Sequence, residues 1–235
     1  MKKTCALLLS LGLAATIGSA QAGERPIVVE LFTSEGCSSC PPADKLLAEL
    51  ASRRDVLALS FHVDYWNRLG WKDPYSSHEA TKRQNHYTTL LDLGTVYTPQ
   101  IVVDGKWQAV GSDHADVEQA LGLAQRNRTE IPVMLTLDHG RAQIKLGTGG
   151  DVASASLLLI GFDRQRVTSV TRGENGGRTL THVDVVRGIE EVARLTGKTD
   201  EIEVPIRWQC DRIAAVVQAA DGGILGVAVR DAERL

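Results

Sequence analysis

The chain has 235 residues, 43% of them hydrophobic and 23% charged, with a formal net charge of -3. A mildly acidic chain with no run of Lys or Arg lacks the electrostatic footprint of a nucleic-acid binder or of a protein drawn to anionic membranes. Its length suffices for one large or two small domains, each able to bury a core.

At the N-terminus, Lys2 and Lys3 lead an apolar run from Ala6 to Ile17, and Ala20-Gln21-Ala22 supplies small residues for cleavage. This reads as a secretory signal over residues 1–22, cut after Ala22, with an apolar run too short to span a bilayer. The mature chain is then expected to be periplasmic or secreted, without a membrane span, and to carry a net charge of -5. Three cysteines remain, Cys37, Cys40 and Cys210, on the side of the membrane where disulfides persist.

Residues 26–34 form a β-branched run that fits a buried strand, and "ADKLLAELASRR" after it has apolar residues at helical spacing. A second apolar strand is expected over 56–66. Asp73-Pro74 reads as a cap and first turn for a helix from Tyr75 to Leu93, with Gly94 as its stop. "TPQIVVDGKWQAVGS" predicts two strands joined at Asp104-Gly105, and a helix capped by Ser112 or Asp113 follows. After the polar linker "RNRT" the pattern changes to strand-like alternation. Hairpins are expected about Asp138-His139-Gly140 and about Glu174-Asn175-Gly176-Gly177, and residues 187–197 fit either helix or strand. The expected organisation is an α/β domain over 23–126, thioredoxin-like in that its first strand-to-helix junction carries the C-x-x-C of Cys37 and Cys40 and Pro99 opens a later strand, and a smaller β-rich, sandwich-like domain over 130–235.

The chemistry centres on "GCSSCPP". A C-x-x-C at a strand-to-helix junction of a βα pattern is a redox signal, and in open α/β sheets the active crevice lies at the carboxyl ends of strands. Cys37, preceding the helix, is the expected nucleophile, and Cys40 the resolving thiol. Pro99 opens a later strand where a cis bond would set backbone beside the sulfurs, and Thr98 before it would offer its backbone to a substrate strand. Glu35 lies close by with no basic residue before Lys45, which disfavours a thiolate at Cys37.

The segments "VVELFTSEGCSSCPPAD", "LSFHVDYWNRLGWKDPYSS", "RQNHY", "YTPQIVVDG" and "GENGGRTLTHVDVVR" resemble the secreted thioredoxin-like proteins grouped as domain of unknown function 1223. That family name carries no activity. By similarity to thioredoxins more broadly, Glu30 has two readings: a buried acid assisting proton transfer at the resolving thiol, or an ion-paired strand residue. Trp66, Trp71 and Tyr97 are groove candidates, and Arg83 and Tyr87, one helical turn apart, are candidates for orienting the Pro99 segment. Arg172, Arg178 and His182 flank the glycine turn and read either as a solvated hairpin face or as a polar row facing the dithiol.

The expected function is thiol–disulfide exchange with extracytoplasmic protein thiols or a membrane redox partner, without a cofactor. One alternative is a non-catalytic binding module with a structural disulfide. The other is a Cu(I) chaperone using the cysteine pair with a third ligand from among His62, His78, His86 and Cys210. No metal set is assigned, because neither a second C-x-x-C nor an H-x-x-x-H accompanies the pair. Ile206, Trp208 and Cys210 are expected on one face of a strand, with Cys210 a buried free thiol.

Overall fold

The computed structural model describes residues 25–147, 154–195 and 201–232, so the expected signal and its cleavage site lie outside the described residues. The elements of the first half are β1 (Ile27–Thr33), α1 (Pro41–Ala51), β2 (Val56–His62), α2 (His78–Leu90), β3 (Gln100–Val103), β4 (Trp107–Val110) and α3 (His114–Asn127). The second half contributes β5 (Val133–Asp138), β6 (Arg141–Leu146), β7 (Ser156–Ser169), β8 (Thr179–Arg194), β9 (Glu201–Pro205), β10 (Arg212–Gln218) and β11 (Ile224–Asp231).

All seven residues of β1 are buried. Its edges are bonded to parallel β2 and antiparallel β3, and both of its faces are covered, which is why the run reads as continuously apolar. Alternation sorts its side chains. Ile27, Val29 and Leu31 pack with α1 and α3, and Val28 and Phe32 pack on the opposite side with Tyr87 of α2. Helix α1 starts on two prolines at its first two positions and buries Ala43, Leu46, Leu47 and Leu50. Both Asp104 and Gly105 take positive φ in the β3–β4 turn. A Cβ on Gly105 would strike the Gly222 carbonyl.

Helix α2 begins three residues later than expected. Ser77, not Asp73, is its cap, accepting from the Ala80 N–H at 3.1 Å. The Asp73 carboxyl is engaged elsewhere, by the Glu35 N–H at 2.8 Å and the His62 Nδ1 at 2.7 Å. Asp113 caps α3 as one of the two expected residues.

The strands form a large mixed sheet of eight, in the order β11-β10-β7-β8-β2-β1-β3-β4, and a three-stranded antiparallel sheet, β5-β6-β9. The large sheet therefore runs across the boundary expected at 126–130, through a parallel bridge between Ser60 of β2 and Val185 of β8. One core cluster joins Phe32, Phe61 and Tyr87 to Phe162, Ala214 and Ile224. The small sheet packs Leu135 and Ile144 onto Leu157, Ile213 and Ala215 of the large one. Residues 187–194, open between helix and strand in the sequence, belong to β8. Residues 206–211 are a connector rather than a strand. Its Trp208 lies over Gly161 and Gly188, which face each other across β7 and β8 and leave a slot that the indole occupies.

Glu30 is the one charged residue of β1 and faces α2. Arg83 grips its carboxylate through Nε and through Nη2 at 2.7 Å, and Tyr87 donates its hydroxyl to it at 2.7 Å. Gln218 of β10 donates to Tyr87 at 3.0 Å, so the network ties the two halves together. Burial drives the Tyr87 hydroxyl well above its ordinary pKa. Breaking a buried pair from one side strands a charge, so Arg83→Ala is expected to cost about 3–5 kcal/mol in urea unfolding. A cost below about 1 kcal/mol would mean that water reaches Glu30.

Candidate functional site

Cys37 and Cys40 form a disulfide at the N-terminus of α1, with their Cα atoms 5.5 Å apart. Both residues are fully buried, whereas Ser38 and Ser39 between them are exposed. The Thr98–Pro99 bond is cis, and the Thr98 carbonyl oxygen lies 3.9 Å from Cys37 Sγ. On its other side, Ser39 Oγ is 3.3 Å from the same sulfur.

The helix end itself is closed to anions. Pro41 and Pro42 have no N–H, Cys40 N–H bonds the Cys37 carbonyl, and Ala43 N–H bonds the Cys40 carbonyl. The free donors that normally favour a thiolate ahead of a helix are thus absent.

Behind the CSSC turn lies a buried cluster of acids and histidines. Glu35 is fully buried, Asp44 is 8% exposed, and His62, Asp73 and His182 are each 1% exposed. Asp44 sits one turn beyond Cys40 on the inner face of α1 and accepts from Thr33 Oγ1 at 2.9 Å. His182, from β8, lies between the carboxyl groups, with Nε2 3.3 Å from Glu35 Oε1 and Nδ1 3.8 Å from Asp44 Oδ2. Neither ring nitrogen of His182 makes a well-formed hydrogen bond, and neither does Glu35 Oε1. Trp71 Nε1 donates to the other Glu35 oxygen at 2.7 Å. The His62 ring meets the His182 ring edge-on at 4.6 Å, and Tyr75 packs against both. Burial alone would lower the His182 pKa, but Asp44 and Glu35 outweigh it and raise it to about 9. Burial likewise works to raise the Asp73 carboxyl, and His62 with two backbone N–H groups reverses that and holds it low.

The tip of the β7–β8 hairpin covers this assembly. Asn175, fully buried, donates its amide to the carbonyls of Glu35 and Cys37, both at 2.9 Å, and accepts from Arg178 at 3.0 Å. Glu174 accepts from the Ser38 N–H at 3.0 Å, and Gly173 lies against Trp71 Cβ.

The other sequence candidates divide. Cys37, Cys40, Thr98 and Pro99 come together as expected. Trp66 donates to Thr98 Oγ1 at 2.8 Å, and Trp71 reaches the cluster through Glu35. Half-buried Tyr97 turns its hydroxyl to Gln108. Glu30 does not reach the dithiol, because it points to the α2 side of the sheet whereas the CSSC turn leads into α1 on the other. Arg83 and Tyr87 bind Glu30 instead of orienting the Pro99 segment. That task falls to their neighbour Gln84, which donates to the Tyr97 carbonyl at 2.7 Å and to Gln100 at 2.9 Å. His78 and His86 sit exposed on α2. Cys210 is half-buried in a cleft of about 500 Å³ beside Trp208 and Asp163, and burial raises its pKa. Asp44, His182 and Asn175 were not assigned as site residues from sequence. Only the glycine turn after "TRGEN" and its flanking polar row gave a signal.

Fold and site together define a mixed α/β protein built around a covered C-x-x-C disulfide. The chain belongs to the family described as protein of unknown function (DUF1223), whose pattern matches residues 28–219. A solved structure of a protein from Agrobacterium tumefaciens, a structural-genomics target, is 31% identical with a TM-score of 0.77, covering 88% of this chain and 95% of that one. HBP35 of Porphyromonas gingivalis is similar in fold alone, at 16% identity and a TM-score of 0.61 over 88% of this chain and 74% of that one. No curated protein sequence matches significantly.

A histidine whose pKa rises on folding stabilises the protein below its unfolded value near 6.5, and that contribution is lost as pH rises through about 9. Thermal unfolding of the oxidised chain is therefore expected to show stability falling by on the order of 3 kcal/mol between pH 6.5 and 9.5. The slope should flatten in His182→Gln. Asn175→Ala removes two buried hydrogen bonds, at about 1–3 kcal/mol. It should also speed reduction of Cys37–Cys40 by a phosphine, and an unchanged rate would show that the hairpin tip does not limit access.

Proposed function

We propose that the chain is an extracytoplasmic thiol–disulfide oxidoreductase of thioredoxin-like type, in which Cys37 exchanges with protein thiols and Cys40 resolves the mixed disulfide. The observation that carries this reading is the apposition of the Cys37–Cys40 disulfide to the Thr98 carbonyl ahead of Pro99. The β1-α1-β2-α2-β3-β4-α3 order supports it, since it leaves the dithiol at a strand's carboxyl end, where open α/β sheets place their chemistry. Thr98 offers a backbone carbonyl beside the sulfur, to which an extended partner segment can add. The partner is an envelope protein thiol or a membrane redox protein, reached after removal of the signal peptide. Among the described residues no helix is long and apolar enough to cross a membrane.

Complete burial of both cysteines favours a second reading, a non-catalytic binding module in which the disulfide is a staple. Redox titration of the mature chain, with alkylation and weighing and a Cys37→Ser control, separates the two. A reversible two-electron couple between about -120 and -270 mV is expected of a catalytic dithiol. A couple below about -300 mV would place the pair with structural disulfides and sink the enzyme reading.

A further inference from the structure

We propose that His182 is the positioning residue through which the second half of the chain sets the charge of the dithiol. Its imidazolium offsets the carboxylates of Glu35 and Asp44, so that the CSSC turn can carry a thiolate when the disulfide opens. The use of this device in exchange rests on the reading above, but the electrostatic coupling applies to any reduction of Cys37–Cys40.

Three features of the site lead to this assignment. The end of α1 has no free N–H to offer a thiolate, since two of its first positions are prolines and the flanking donors are already bonded. Glu35 and Asp44 bracket the CSSC turn in chain and in space and are withdrawn from water, so a further negative charge between them is disfavoured. His182 fills the space between them, with Nε2 3.3 Å from Glu35 and Nδ1 3.8 Å from Asp44, so a single ring faces both carboxyl groups.

The groups facing His182 are few. Glu35 comes from the β1–α1 loop, Asp44 from α1, and His62 from β2 with its partner Asp73. Tyr75 comes from the segment before α2, with the Arg187 guanidinium over its ring at 5.5 Å. Arg166, opposite His182 on β7, is paired with Asp163 at 2.8 Å.

In the reducing direction a thiolate of a partner dithiol attacks Cys37 Sγ, forming the mixed disulfide as the Cys37–Cys40 bond breaks. The electron pair of that bond leaves on Cys40, one turn above Asp44, where the imidazolium offsets the new charge until a proton arrives. The partner's second thiolate then attacks its own sulfur in the mixed disulfide and expels Cys37 as a thiolate. The partner departs oxidised by two electrons, and Cys37 and Cys40 are reduced by two.

The test equilibrates the mature chain, His182→Gln and Asp44→Asn with reduced and oxidised dithiothreitol at pH 7 and pH 10, then traps the thiols with acid and weighs the products. At pH 7, His182→Gln is expected to shift the equilibrium about tenfold toward the disulfide, the equivalent of one pKa unit. Asp44→Asn is expected to shift it toward the dithiol. At pH 10, where the wild-type imidazole has lost its proton, wild type and His182→Gln should agree within about twofold. Shifts of the same sign in both variants, or a His182→Gln shift that persists at pH 10, would assign His182 a packing role and overturn the proposal. If His182→Gln does not fold, the sign of the Asp44→Asn shift decides, because that change keeps the shape of the side chain. A wild-type couple at the structural end of the scale would refute the oxidoreductase reading while leaving these differences readable, so the two failures are distinguishable.

Discussion

The bridge between β2 and β8 is the constraint on which the rest of this architecture depends. Among the described residues a parallel bridge at Ser60 and Val185 is the one backbone pairing between the edge of the first half's sheet and the long β7–β8 hairpin. It sets where that hairpin's outer end falls, and that end covers the cysteine pair. His182 reaches the space behind α1 and Asn175 reaches the Glu35 and Cys37 carbonyls because both ride on one arm whose base is held in the large sheet. The cysteine pair and the Thr98–Pro99 segment belong to the first half, but their buried surroundings are built by both halves.

This arrangement resolves a difficulty in the local chemistry. An acidic residue beside a cysteine pair and two prolines at a helix start are both unfavourable to a thiolate, by charge and by loss of donors. The tertiary structure deepens the problem by burying Glu35 and Asp44, then answers it with a histidine drawn from far along the chain. The second buried network, Glu30 with Arg83, Tyr87 and Gln218, lies on the opposite face of the sheet and again joins the two halves. Each buried charge in these two networks is met by a group from a distant element, as the high cost of an unpaired buried charge requires.

The order of elements in the first half was legible because its signals are local. Continuous β-branched runs, helical spacing in "ADKLLAEL", the Asp104-Gly105 turn and the Asp113 cap each act within a few residues. Cys37, Cys40, Thr98 and Pro99 were legible for the same reason, being marked by residue type at the ends of predicted strands. The start of α2 was misread because Asp73 is drawn away from capping by His62 and by the Glu35 N–H, neither of which is its neighbour in sequence. Glu30 shows how far counting carries: one residue decides the face of a strand, and the turn after β1 does not absorb the extra residue.

What the sequence by itself determined is the order of elements in the first half, the placement of a C-x-x-C at a strand-to-helix junction and the proline opposite it, since these follow from backbone propensity and residue type over short windows. What only the tertiary structure decided is the environment of those cysteines. His182 is spaced in sequence like any polar residue of an exposed hairpin. Its burial between two carboxyl groups arises from strand pairing between residues more than a hundred positions apart, and side-chain periodicity carries no record of which strands will meet.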